Sequence, residues 1–143
     1  MPSKKDGPST DLFRPLPFEG NMALPKLADS SISVEMSAAL EHAPSGDCIC
    51  WGIPFTIDDA VVVAERTVSI ELAPTKAQWL VFMHTSDLRR VEPNADGFYS
   101  PMRGAGQLGE HAANYVILYQ DGTEERVSIR RRHQIGPFER RWG

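Results

Sequence analysis

Residues 112–129 read AANYVILYQDGTEERVSI, the pattern of a strand, a tight turn and a second strand. Asn114, Val116 and Leu118 alternate with Tyr115, Ile117 and Tyr119, so the first strand carries bulk on both faces. Such a strand is expected near the middle of a sheet or beneath a second layer. Asp121-Gly122 comes next, and Asp-Gly between strand-like runs predicts a type I′ turn with positive φ at both central residues. Beyond it Val127 and Ile129 alternate with Arg126, Ser128 and Arg130, which gives one dry face and one wet face.

Outward from this hairpin, most of the chain repeats the theme of short strands between Gly, Pro and Asp turns. Ser31–Met36 alternates like a short strand, and Cys48–Ile57 is strand-like with Gly52 and Pro54 marking a bulge or an edge. Ala60–Ala64 is short and β-branched. Thr67–Leu72 has the pattern of a half-buried strand, and Trp79–Thr85 is apolar on both faces, hence central. Trp51 and Trp79, lying in strands, are expected in the core. Pro15, Pro17 and Pro25 exclude helix from Asp11–Pro25 and leave an extended segment across the body of the domain. No long stripe of helical period stands out. The pattern predicts an all-β fold, an antiparallel β-sandwich or jelly roll. Its expected divisions are a flexible leader over 1–10, one sandwich domain over 11–136 and a basic tail over 137–143.

A chain of 143 residues suits one domain, and 41% hydrophobic with 24% charged residues are ordinary globular values. The net charge of −4 gives no general attraction to nucleic acid or anionic lipid. No apolar run is long enough to span a membrane as a helix, and the basic start MPSKKDGPST has no apolar segment behind it. The expectation is a cytoplasmic protein as the sequence stands, and an extracellular one if a signal has been removed. Cys48 and Cys50 flank one residue, so on a strand they share a face with parallel Cβ vectors. Two buried thiols, rather than a disulfide or a metal site, are expected there.

Candidate sites concentrate in the long irregular stretch Ser86–Glu110. GAGQLG at 104–109 matches Gly-x-Gly-x-x-Gly, but it leads into a strand rather than a helix, so the dinucleotide context fails. His84 and His111 lack helical metal-ligand spacing, and His84 is expected as a core histidine satisfied by hydrogen bonds. Asp58, Asp59 and Asp96 are the candidate calcium ligands, as hard oxygen donors on loops. Arg130, Arg131, Arg132 and His133, with Arg140 and Arg141, read as a solvated edge rather than a nucleic-acid surface. No nucleophile motif is present. Phe98 and Tyr99 are placed to offer an aromatic face to a sugar. The candidate ligand set is Phe98, Tyr99, Arg103, Asp87 and Glu110.

WGIPFTI (51–57), WLVFMHTS (79–86), GEHAANYVILYQDG (109–122) and RVSIRRRHQIG (126–136) occur in that order. This succession resembles the galactose-binding-like β-sandwich modules attached to bacterial glycoside hydrolases and related uncharacterised proteins. Tyr115, Tyr119, Asp121 and Gly122 match the hairpin of that group. The resemblance implies a non-catalytic accessory module with a jelly-roll fold, whose partner is a carbohydrate or a neighbouring catalytic domain. The alternatives are a structural or protein-interaction domain, including a homo-oligomer formed through its sheet, and a small metal- or sugar-active enzyme using His84, His111 and the acidic loops.

Overall fold

A computed structural model describes residues 5–89, 91–99 and 106–139. The described chain is β-rich, with three two-stranded antiparallel sheets and few helical turns. No helix among the described residues is long and apolar enough to cross a membrane. The chain divides into two compact units, 1–76 and 77–143.

In the first unit, strand β1 (Met22–Ala23) pairs with β4 (Asp59–Ala60), and β2 (Gly46–Cys50) pairs with β3 (Ile53–Ile57). The two-residue link between β2 and β3 is Trp51-Gly52, with φ of 53° and 76°. Positive φ at both positions is the type I′ geometry that matches strand twist. Gly52 is therefore a turn residue, not a bulge. Trp51 is correspondingly displayed rather than packed, a correction to its expected core position. Trp51 and Trp79 are 82% and 73% exposed. Pro54 sits opposite Ile49, whose carbonyl accepts from the Asp6 N–H on the other side of β2 at 3.0 Å. The Ile49–Pro54 pair thus needs no hydrogen bond between strands, and the missing proline N–H disrupts nothing. Thr10 N–H also donates to the Gly52 carbonyl, so the segment from Lys5 to Thr10 follows the hairpin.

Ser31–Met36 is not a strand. Ser33 is the N-cap of helix α2 (Val34–Ala39), its hydroxyl accepting from Met36 N–H at 3.1 Å. A serine cap outweighs six residues of alternation because it satisfies one of the otherwise orphaned first-turn donors. Pro25 likewise lies in the first turn of α1 (Leu24–Leu27), where a helix needs no N–H from it. A 3-10 turn, Leu40–His42, follows α2. Leu27, Leu40, Cys48 and Cys50 form the buried core of this unit. Both thiols are free, as their spacing predicts. Burial, then the neighbouring Cys50, pushes the Cys48 pKa up to about 11. Near pH 8 its thiolate fraction falls about a hundredfold below that of a thiol titrating at 9, partly offset by the greater nucleophilicity of the more basic thiolate. Labelling by a disulfide reagent should therefore run about tenfold slower than in the urea-unfolded chain, and equal rates would contradict the buried placement. Because the folded value is raised, the stability tied to this thiol is complete below about pH 9 and is lost as pH rises through about 11.

Residues 61–76 contain no strand, although Val68 and Ile70 are half-buried between exposed Ser69 and Glu71. The alternation of Thr67–Leu72 is real, but the backbone lacks a ladder partner among the described residues, and neither this segment nor Ala60–Ala64 is the strand expected beyond β4. Asn21 supplies a local substitute for a ladder at Val62. Its amide nitrogen donates to the Val62 carbonyl at 2.9 Å, and its oxygen accepts from the Val62 N–H at 2.7 Å.

In the second unit, β5 (His111–Leu118) pairs with β6 (Glu124–Arg130), with an irregularity between His111 and Ala113. The hairpin stands where the sequence places it, but the turn differs. Only Gly122 has positive φ, at 84°. The Gly122 N–H donates to the Tyr119 carbonyl and the Tyr119 N–H to the Thr123 carbonyl. This is a three-residue loop of type I with a glycine bulge, not a type I′ pair. Asp121 selects it, since its carboxylate accepts from both the backbone and the hydroxyl of Thr123. Those bonds also hold the Asp121 pKa below the usual carboxylate value. Ile129 is buried, but Val127 is exposed, and β5 alternates exposed and half-buried residues in a two-stranded sheet, so it is not the two-sided central strand that its bulk suggests. Trp79–Thr85 is not a central strand. It runs without a ladder until Ser86 bridges Pro137.

Candidate functional site

The second unit is organised on Tyr115. Phe82 stacks on its ring at 4.4 Å between centroids, and the His84 ring lies parallel at 5.9 Å. The Tyr115 hydroxyl is 3.0 Å from His84 Nδ1, and His84 Nε2 is 2.7 Å from the Gln134 carbonyl. A carbonyl only accepts, so Nε2 carries the proton and Nδ1 accepts from the tyrosine. Burial raises the Tyr115 pKa, which keeps that hydroxyl a donor. Both nitrogens of His84 are thus engaged, but the residue is half-buried rather than the core histidine expected. His111 is exposed, with Nε2 3.1 Å from Asn114 Oδ1.

Glu110 is an anchor within the protein. Its Oε1 lies 3.4 Å from Arg89 Nη2 and its Oε2 lies 3.2 Å from Arg131 Nε. The second contact is an ion pair whose atoms are both buried and not aligned as a hydrogen bond. Two guanidinium groups already compensate this carboxylate. Backbone bonds reinforce the joint, with Gly109 N–H donating to the Arg131 carbonyl and Arg131 N–H to the Glu110 carbonyl. Asp87 is half-buried and accepts from the Leu88 N–H at 2.7 Å.

Phe98 and Tyr99 are 71% and 61% exposed. They leave a turn constructed like the β5–β6 turn. Gly97 N–H donates to the Asn94 carbonyl and Asn94 N–H to the Phe98 carbonyl, with Gly97 at φ 81°. The Asn94 side chain tightens it, Oδ1 accepting from Asp96 N–H at 3.1 Å and Phe98 N–H at 2.8 Å. Two adjacent aromatic rings are therefore displayed from an ordered turn. Asn94 was not among the expected site residues, although PNADG at 93–97 carries the turn signal that places it. Arg103, together with Gly104 and Ala105 of GAGQLG, lies outside the described residues. The remaining part of that motif is a turn, with Gln107 at φ 51° and Gly109 at φ 75°.

The calcium candidates belong to both units, Asp58 and Asp59 to the first and Asp96 to the second. Asp58 and Asp59 help line an open cleft of about 290 Å³ with Pro15, Pro17, Phe18 and Thr56. Among the described residues, no three His, Cys, Asp or Glu side chains come together as a metal site. Comparison with known protein families, with curated proteins and with solved structures finds no match.

Proposed function

We propose that the chain is a non-catalytic accessory module of β-sandwich type that binds carbohydrate through the Phe98–Tyr99 turn. One observation carries this reading: two neighbouring aromatic rings are held out to solvent by a turn with four internal hydrogen bonds. A flat apolar ring suits the axial C–H face of a pyranose, and a pre-ordered turn lowers the entropy lost on binding. Of the candidate polar groups, Glu110 serves as internal support rather than as a sugar contact. The resemblance in the four quoted motifs points to the same class. A glycan array of plant and bacterial polysaccharides tests the reading. Replacing both Phe98 and Tyr99 with alanine should weaken the strongest binder by about tenfold or more, while Glu110→Gln should act on stability first. Absence of any glycan ligand for the folded chain would overturn the assignment.

A further inference from the structure

We propose that Trp79–Met83 is an edge through which two copies of this chain pair, antiparallel about a twofold axis at Val81. The segment reads WLVFM, and all five side chains are exposed. Exposure here does not mean slackness. Phe82 and His84 both reach the Tyr115 ring, the spacing of an extended chain whose alternate side chains share a face. Downstream, Ser86 N–H donates to the Gly136 carbonyl and Phe138 N–H to the Ser86 carbonyl. Among the described residues, however, the backbone groups of 79–83 have no backbone partner. The result is an extended apolar segment, positioned by its neighbours and without a ladder partner among the described residues.

Native sheet edges are commonly protected by lysine, proline, a bulge or an inward-pointing charge. Residues 79–83 contain none of these residue types. A second copy fits because the segment is complementary to itself. Antiparallel pairing about Val81 sets Trp79 against Met83 and Leu80 against Phe82, so every side chain meets an apolar one. The interface is then isologous, as expected of a closed dimer. The five residues expose on the order of 500 Å² per copy, so complete burial would remove at most about 1,000 Å² for the pair, the low end for a specific interface. That area suits a reversible dimer. The inference is independent of the sugar-binding reading, since it uses a different segment and a different occupant.

Sedimentation velocity of the full chain, from micromolar to sub-millimolar concentration, provides the test. The unmodified protein should move from monomer to dimer as concentration rises. Val81→Pro removes a pairing N–H and should remain monomeric throughout. Val81→Lys and Val81→Glu each place like charges opposite one another and should be monomeric alone. An equimolar mixture of those two should recover the dimer, because lysine then faces glutamate across the axis. A misfolded variant could not be rescued in this way. A monomer at every concentration, a dimer that survives Val81→Pro, or a mixture that stays monomeric would each overturn the proposal.

Discussion

Tyr115→Ala should lower the stability of the second unit by about 2–4 kcal/mol, below the full range for a buried aromatic because Tyr115 is only half-buried. The substitution removes the ring on which Phe82 stacks and beside which His84 lies. It also leaves His84 Nδ1 without its hydroxyl partner. Tyr115→Phe separates the two effects. It keeps the ring, loses the hydroxyl and should cost about 1 kcal/mol. Urea unfolding followed by circular dichroism measures both, with transitions of the two units fitted separately where they do not coincide. A loss under about 0.5 kcal/mol for Tyr115→Ala would show that the ring is not the organising contact.

Gly20→Ala should have the largest effect of a single added methyl group in the first unit, about 1–3 kcal/mol. A Cβ at Gly20 would stand 2.5 Å from the Ala60 carbonyl oxygen and 2.6 Å from the Asp59 Cβ. Neither neighbour is the movable end of a long side chain, so β4 itself must shift. That shift disturbs the Met22–Ala60 and Ala23–Asp59 pairs and the adjoining Asn21 clamp on Val62. Faster amide exchange around residues 22–23 and 59–62 is the expected signature. Unchanged exchange and stability would mean that Gly20 is not tightly enclosed.

The hairpin of the second unit was legible in the sequence because its strands are long, its alternation is regular and Asp-Gly marks the turn. Turn type was harder to read. Trp51-Gly52, which gives little residue-level signal for type I′, adopts the geometry expected of Asp121-Gly122, while Asp121 uses its carboxylate to favour a longer loop. Alternation at Thr67–Leu72 matches the half-burial of Val68 and Ile70, whereas Trp79–Thr85, apolar on both faces, is largely exposed rather than central; a ladder also needs a partner, which neither pattern supplies. The α2 helix was misread because six residues fit either period and the decisive signal was the cap at Ser33. At the candidate site, aromatic residues in a loop were visible. The Asn94 clamp and the arginine pairing of Glu110 depend on bonds across the turn and across the unit that spacing alone does not specify.

The most direct test of the central claim is an amide NMR titration of the full chain with the oligosaccharide corresponding to the strongest array binder. The account predicts saturable shifts centred on residues 94–99, absent when Phe98 and Tyr99 are both alanine. Saturable shifts confined to other residues, or binding unchanged in the double variant, would contradict it.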